Sequence, residues 1–413
     1  MKKCKLKDVA TLIAGFPFDG HKYSSEGIRV VRGDNVTIGR LRWDIDKRWN
    51  YPFKEAQTYL LRNEDIVIGM DGSRVGRNRA FVSECDLPLY LAQRVACVRH
   101  NEKSIQKYLY YAIFSDRFEQ YINTIHTGTS IPHISLEQLG DFEFLIPSIT
   151  EQEKIGNLLY DIDQKISLNT RINAELEAMA KQLYDYWFVQ FDFPDENGKP
   201  YKSSGGKMVW NEKLKREIPE GWEVKEMGDM LNFSNGINYE KDIAGDKKYR
   251  IINVRNITSS SIFINKDDLD IIELPSKQAN NYLITEDDII IARSGTPGST
   301  RLIMNPYDVI YCGFIIKGTP RNNNNKYILM YYLKQLEGTQ ATKTGGSILQ
   351  NVSQDTLKSL RMIVPPENIV NTFNQFVDKI FNSINSNIET SNHLTHLRDS
   401  LLPMLMNGQV TIE

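Results

Sequence analysis

Two long stretches of the chain place an apolar residue at every third or fourth position. The first begins at Glu151 and has its apolar positions at Ile155, Leu158, Leu159, Ile162, Ile166, Ile172, Leu176, Met179 and Leu183. The second repeats the spacing 218 residues later, at Phe373, Phe376, Val377, Ile380, Ile384, Leu394, Leu397 and Leu401. Such spacing predicts two helices of about 30–35 residues, roughly 45–50 Å long, each with one apolar stripe.

An apolar stripe is unfavourable in water, so we expect the two helices to pack on each other as an antiparallel pair. The residues predicted to form this seam are Leu158, Ile162, Ile166, Leu176, Phe376, Ile380, Ile384 and Leu394. The alternative is that each helix lies alone on the surface of its own domain.

The segments that precede the two helices repeat each other as well. Similar residues follow in the same order when we compare 28–37 with 249–258, 65–68 with 288–291, and 139–147 with 357–365. Short β-branched runs bounded by Gly, Asn, Asp and Pro predict strands within these segments. We therefore predict an α/β (α+β) fold in which one domain and one helix occur twice. The expected boundaries are 1–150, 151–188, a turn-rich connector at 189–217, then 218–366, 367–407 and a tail at 408–413.

The length and charge narrow the classes of protein further. At about 150 residues per domain, 413 residues suggest two or three domains. The net charge of −2 argues against a uniformly basic nucleic-acid coat. However, residues 1–150 and 221–366 carry +3 and +1, whereas 151–220 and 367–413 carry −3 each. The repeated domains are thus mildly basic and the helical segments acidic.

The cysteines and the apolar runs indicate the compartment. Four scattered cysteines without a CxxC pair predict neither a disulfide framework nor a zinc ribbon. No apolar run approaches the ~18–20 residues that a membrane span needs. The lysine-rich start lacks the apolar stretch of a signal peptide. We expect a cytoplasmic protein that does not bind a membrane.

A search for catalytic motifs yields one weak pattern. The sequence has no phosphate-binding loop, no dinucleotide fingerprint and no H-E-x-x-H zinc motif. His393 and His396 are three positions apart on the second predicted helix, where a packed or solvated helix face is favoured over a metal pair. Asp195 together with Glu223 and Lys225 fits a loose nuclease pattern, in which carboxylates hold Mg²⁺ and the lysine steadies the attacking water. Against this hypothesis, Asp195 lies in the turn-rich connector, and the first repeat has Lys5 where Glu223 falls.

Both repeats place a loop rich in Gly, Ser and Arg directly after a matched strand. A second pair of loops, rich in Thr, Ser and Gly, follows later in each repeat. Glycines let backbone N–H groups approach a phosphate, and arginine can bind phosphate or guanine in a bidentate manner. The candidate DNA-binding residues are Gly72, Ser73, Arg74, Arg77, Arg79, Thr129, Ser130 and His133 in the first repeat, and Arg293, Ser294, Thr296, Ser299, Arg301, Lys343, Thr344 and Asn351 in the second. The alternative is that these residues only make soluble turns.

The connector and the domain ends resemble a known family. The segments that carry the similarity are the connector 193–210, which begins Phe193-Pro194-Asp195-Glu196-Asn197-Gly198, the segment Ile218-Pro219-Glu220-Gly221-Trp222, the domain ends 139–147 and 357–365, and residues 401–408. With the two long helices, they make the chain similar over essentially its whole length to the specificity subunit of type I restriction–modification systems.

The resemblance implies a non-catalytic subunit that reads double-stranded DNA. Each of two target recognition domains would read half of an asymmetric bipartite site. The two helices would space these domains and dock two methyltransferase subunits on their outer faces, and restriction subunits would join the complex. No cofactor is expected in this chain, since S-adenosylmethionine, ATP and Mg²⁺ would belong to the partners. The competing hypotheses are the metal-dependent nuclease and an adaptor that binds protein alone.

Overall fold

The computed structural model describes residues 1–125, 132–239, 245–258, 261–337 and 352–412. The chain divides into two compact units, one made of Met1–Ile166 with His393–Glu413 and the other of Ser167–Asn392. Each long helix contributes residues to both units.

The first unit combines two small sheets with short helices. Its strands are β1 (Lys2–Lys5), β2 (Ala10–Ala14), β3 (Ile28–Val31), β4 (Arg48–Trp49), β5 (Ile66–Gly69), β6 (Arg79–Phe81), β7 (Leu89–Leu91), β8 (Val95–His100) and β9 (Glu143–Ile146). Its short helices are α1 (Leu6–Val9), α2 (Gln106–Ile113), α3 (Asp116–Ile125) and α4 (Leu136–Gly140). One sheet is antiparallel in the order β2-β8-β5-β6, and the other has the order β4-β3-β7, with β3 and β7 parallel. Strands β1 and β9 pair separately.

The first long helix is α5 (Ile149–Tyr184), which ends in a wider turn at Asp185–Val189. The connector after it forms a hairpin of β10 (Met208–Asn211) and β11 (Arg216–Pro219). Its aromatic residues cover the end of the helix, because the ring of Trp222 lies 6.0 Å from that of Phe188 and 5.0 Å from that of Phe193.

The second unit repeats the plan of the first. Its strands are β12 (Glu223–Glu226), β13 (Leu231–Asn235), β14 (Lys247–Ile252), β15 (Asp270–Leu274), β16 (Ile289–Ala292), β17 (Thr300–Arg301), β18 (Val309–Tyr311), β19 (Ile315–Pro320) and β20 (Arg361–Val364). Its helices are α6 (Met227–Met230), α7 (Val254–Ile257), α8 (Ser276–Ala279), α9 (Lys326–Gln335), α10 (Gln354–Lys358) and the long α11 (Glu367–Met406). The orders β13-β19-β16-β17 and β15-β14-β18, with β12 paired to β20, match those of the first unit. The predicted mixed fold and internal duplication are therefore confirmed.

Buried β-branched residues explain why the central strands form. All of β5 and all of β16 are buried, as expected for strands covered on both faces. A buried aspartate precedes each strand and accepts a hydrogen bond from a backbone N–H three residues earlier. Asp65 does so from Arg62 and Asp288 from Thr285, both at 2.7 Å.

The long helices pack on each other in each unit, but not every residue of the predicted seam is buried between them. Ile162 and Ile384 are buried, and the half-buried positions are Ile166, Leu176, Ile380 and Leu394. Leu158 and Phe376 correct the prediction, since they are 37% and 49% exposed. The neighbouring residues Ile155, Leu159, Phe373 and Val377 are buried in the core instead. The buried stripe of each helix is therefore rotated slightly relative to the predicted one.

Candidate nucleic-acid interface

In the first unit, the two predicted loops lie next to each other. The backbone N–H of Gly72 donates to the carbonyl of Pro132 at 3.1 Å, and that of Ile134 donates to the carbonyl of Met70 at 3.0 Å. Met70 also donates its N–H to the carbonyl of Arg94, in the turn between β7 and β8, at 2.9 Å. Three separate segments therefore meet at one surface.

Side chains connect these three segments further. The Asp71 carboxylate lies 2.5 Å from Nδ1 of His133 and 3.1 Å from Nε of Arg94. His133 and Arg94 remain largely exposed around this carboxylate. The cluster fixes the relative position of the segments and still presents an imidazole and a guanidinium group to solvent.

The arginines of the first loop have different environments. Arg74 is exposed and forms no ion pair within the described part of the chain. Ser73, which precedes it, is exposed as well. Arg77 is exposed too, but its Nε lies 3.1 Å from the Glu119 carboxylate of α3. Arg74 is thus the arginine of this loop most available to an anionic ligand.

The second unit assembles the same three segments with different side chains. The N–H of Arg293 donates to the carbonyl of Phe314 at 2.9 Å, and the N–H of Val352 donates to the carbonyl of Arg293 at 3.0 Å. Arg293 and Ser294 are half-buried at this surface, and Thr296 is exposed. Five candidate residues lie outside the described residues, namely Thr129, Ser130, Lys343, Thr344 and Asn351.

Three of the predicted contact residues point into the protein. Arg79 is 6% exposed and lies over the rings of Phe114 and Phe118, and burial lowers its pKa to about 10. Arg301 is 4% exposed, and its guanidinium group donates to the Glu337 carboxylate at 2.9 Å. Ser299 is buried as well. These residues begin β6 or lie in and beside β17, so they stabilise the domains and are corrections to the candidate set.

The structure also reveals basic residues that motif reasoning missed. Arg74 lies on a groove of about 1010 Å³ whose other cationic side chains are Arg32, Arg42, Lys47 and Arg94. Two carboxylates, those of Asp34 and Asp71, line the same groove. The groove is therefore net positive. In the sequence, this groove is indicated by the net positive charge of residues 1–150.

The nuclease residues do not form a metal site. The Asp195 carboxylate accepts hydrogen bonds from the N–H groups of Asn197 and Lys199, both at 2.8 Å, and so stabilises its own turn. Glu223 pairs with Lys225 at 2.9 Å, and the hydrogen bond from this lysine lowers the pKa of the Glu223 carboxyl group. Within the residues that the structure describes, no His, Cys, Asp and Glu side chains cluster in a way that could hold a metal ion.

The described helices also lack the combination of length and apolar character needed to cross a bilayer.

The structure thus consists of a duplicated domain with a matched surface in each copy, together with two long helices. The family model of the type I restriction modification DNA specificity domain matches residues 1–178 and 219–392. The chain belongs to this family. It is a non-catalytic DNA-recognition subunit, and subunits of this family assemble into restriction–modification complexes. The predicted family and the non-catalytic role are thereby confirmed, and nothing supports the endonuclease alternative.

Relatives and a solved structure agree with this assignment. The chain is 27% identical to the type I restriction enzyme MjaIX specificity subunit of Methanocaldococcus jannaschii, over 81% of this chain and 76% of that protein. It is 24% identical to the HindI specificity subunit of Haemophilus influenzae, over 82% of this chain and 85% of the relative. Its fold matches the crystal structure of the S subunit from M. genitalium with a TM-score of 0.60 at 16% identity, covering 98% and 96% of the two chains.

Proposed function

We propose that each unit reads one half of an asymmetric, bipartite site in double-stranded DNA. The observation that carries this proposal is the repeated three-segment surface, held in both units by the same pair of backbone hydrogen bonds. Met70 bonds to Arg94 and Ile134 in the first unit as Arg293 bonds to Phe314 and Val352 in the second. Two surfaces with one backbone plan and different side chains suit two half-sites of different sequence.

Among the described residues, the proposed contact residues are candidates whose side chains are not buried, together with Arg94; the other members are sequence candidates that lie outside the described residues. In the first unit they are Gly72, Ser73, Arg74, Arg77, Arg94 and His133, with Thr129 and Ser130. In the second they are Arg293, Ser294 and Thr296, with Lys343, Thr344 and Asn351. The buried residues Arg79, Ser299 and Arg301 are left out because their side chains have no access to a ligand.

The proposed partners are two methyltransferase subunits, which restriction subunits then join. An exposed apolar stripe along α5 and its last turn supports docking, because such stripes favour burial against a partner. Its members are Leu168, Ile172, Met179, Tyr186 and Val189. S-adenosylmethionine, ATP and Mg²⁺ would be bound by the partners. A subunit that acts on chromosomal DNA would work in the cytoplasm.

The test of DNA recognition is co-expression with a modification subunit, followed by genome-wide mapping of methylated adenines. We expect one bipartite motif, modified in both halves. Arg293→Ala should weaken DNA binding and methylation but leave assembly with the methyltransferase subunits intact. Normal binding and methylation by this variant would overturn its assignment, and the absence of any motif in the wild type would overturn the function.

The docking face has its own test. Ile172→Asp and Met179→Asp should reduce copurification of the methyltransferase subunits, since each places a charge within the apolar stripe. Ser167→Asp introduces the same charge at an exposed polar position of α5 and serves as the matched control. Equal copurification by all three variants would place the docking face elsewhere.

A further inference from the structure

The turns that join β7 to β8 and β18 to β19 are closed by equivalent backbone hydrogen bonds, but they differ in the side chain and the backbone angle of their third residue. In the first unit, Val95 closes the turn by donating its N–H to the carbonyl of Ala92 at 3.2 Å. In the second unit, Ile315 donates to the carbonyl of Cys312 at 3.0 Å. The third residue of the turn is Arg94 in one unit and Phe314 in the other.

Both turns are held rigidly by a neighbouring glycine segment. Gly15 donates its N–H to Val95 at 3.1 Å, and Gly236 donates to Ile315 at the same distance. A Cβ atom on Gly15 would lie 1.9 Å from the carbonyl oxygen of Ala92, and one on Gly236 would lie 2.1 Å from that of Cys312. The segments approach so closely that only glycine fits, and each turn is fixed in place.

Each turn presents its third residue to solvent at the candidate interface. The Arg94 side chain is 70% exposed, and its backbone has a φ of 68°, in the left-handed region that arginine rarely adopts. Phe314 is 63% exposed. The carbonyl groups of these two residues accept the N–H groups of Met70 and Arg293, which begin the two proposed DNA-contact loops. A left-handed backbone at a non-glycine residue, as at Arg94, is found most often at functional sites. For Phe314 the supporting observation is its position, since its exposed ring lies beside the loop that begins at Arg293.

We propose that these two turns read bases, and that their third residues make the half-sites differ. Phe314 contacts the C5-methyl group of a thymine in the second half-site, because a phenyl ring offers apolar surface and no hydrogen bond to a base edge. Arg94 makes a hydrogen-bonded, charged contact in the first half-site. This inference rests on the proposed function.

The experiment measures base preference with the complex of this chain and its modification subunits, using a pool of DNA duplexes with randomised half-sites. Phe314→Ala should lose a thymine preference by roughly tenfold in the second half-site and leave the first unchanged. Arg94→Ala should relax base preference at one position of the first half-site and leave the second half-site unchanged. A uniform loss of affinity with unchanged base preference would instead show that Arg94 contacts a phosphate, and would overturn its assignment as a base reader.

Two control variants separate these effects from general damage. Tyr307 is an exposed aromatic residue at the opposite end of β18 from Phe314, and Lys103 is an exposed cation beyond the opposite end of β8 from Arg94. Tyr307→Ala and Lys103→Ala should leave both preferences intact. Arg94→Gly should lose the Arg94 contact while melting close to the wild-type temperature, because glycine adopts the left-handed backbone freely and the ion pair with Asp71 that is lost involves a largely exposed guanidinium group.

Replacing thymine by uracil removes only the methyl group and gives the decisive result. Uracil at the position lost in Phe314→Ala should weaken binding of the wild type and leave the variant unaffected. The inference is overturned if Phe314→Ala keeps every base preference, or if uracil at each thymine of the second half-site leaves wild-type binding unchanged. If the wild type selects no bipartite sequence at all, the proposed function fails instead.

Discussion

Asn169 on α5 lies opposite Asn387 on α11, and each is the equivalent of the other in the duplicated sequence. Asn169 Nδ2 donates to Oγ of Ser391 at 3.1 Å, and Asn387 Nδ2 donates to Oδ1 of Asn173 at 2.8 Å. Asn173 and Ser391 are equivalents as well, so the duplication relates the two hydrogen bonds to each other. Asn169 is buried and Asn387 is half-buried. Such a polar pair specifies the register of two helices, because any shift leaves amide groups unpaired.

Replacing Asn169 should therefore destabilise the helix pair. Asn169 is 1% exposed, so Asn169→Ala leaves a cavity and removes the donor to Ser391. We expect the free energy of unfolding in urea to fall by about 1–3 kcal/mol. Asn382→Ala, at an exposed position of α11, is the control and should change it by less than about 0.5 kcal/mol. Equal effects of the two variants would contradict a role for Asn169 in the seam.

A partly buried carboxylate on α5 makes stability depend on pH. Glu177 accepts hydrogen bonds from the hydroxyl of Ser261 at 3.0 Å and from the N–H of Ile262 at 3.2 Å. Burial raises the pKa of Glu177, although these hydrogen bonds partly offset the increase. The folded state thus binds this proton more tightly than the unfolded state, so this contribution to stability is lost as pH rises through the folded pKa.

Glu177→Gln keeps an acceptor oxygen and removes the charge. Relative to wild type, the variant should gain stability as pH rises from below the ordinary glutamate pKa through the raised value, and the gain should then level off. Urea unfolding at a series of pH values measures this difference. Glu175→Gln, at an exposed position of the same helix, should show no such gain. A difference between Glu177→Gln and wild type that is constant across pH would exclude the proposed linkage.

The repeats and the long helices could be predicted from the sequence, because the repeats are collinear matches and the helices have a periodic apolar pattern. It could not separate Arg74 from Arg79, which lie five positions apart in the same loop. Arg79 begins β6 and pairs with Ile68 of β5, and this pairing directs its side chain into the domain. Side-chain direction at a strand end depends on the register of pairing, which composition does not encode.

The seam shows the same limit on a smaller scale. Leu158 and Leu159 are identical residue types on one helix turn, yet Leu159 is fully buried and Leu158 is 37% exposed. Which of them faces the core depends on what packs against the helix, so the stripe could be predicted but not its exact rotation. By contrast, extending the repeat comparison to the turns after β7 and β18 would have paired Arg94 with Phe314 from sequence alone.

Gly236 is a position where a single methyl group should disturb the second domain. An added Cβ would meet the carbonyl oxygens of Cys312 and Tyr311 at 2.1 and 2.4 Å, and the backbone would have to move. We expect Gly236→Ala to lower the free energy of unfolding by about 1–3 kcal/mol. Gly20→Ala is the control, because no atom lies within 4 Å of the methyl group that it adds. A neutral Gly236→Ala would show that the turn at Phe314 is not held as tightly as the contacts indicate.

Substitution of Glu337 should lower stability, whereas substitution of Arg74 should lower DNA affinity. Glu337 accepts from the buried guanidinium group of Arg301 at 2.9 Å and from the N–H of Thr300 at 2.7 Å. Glu337→Ala should lower the free energy of unfolding by about 3 kcal/mol, since removing one partner of a buried ion pair leaves the other charge poorly compensated. Arg74→Ala should unfold like wild type but bind DNA more weakly, with the slope of log affinity against log salt reduced by about 1. Urea unfolding and DNA titrations at several salt concentrations measure both effects. A stable Glu337→Ala, or an Arg74→Ala with unchanged salt dependence, would contradict the division between domain-stabilising and DNA-contacting arginines.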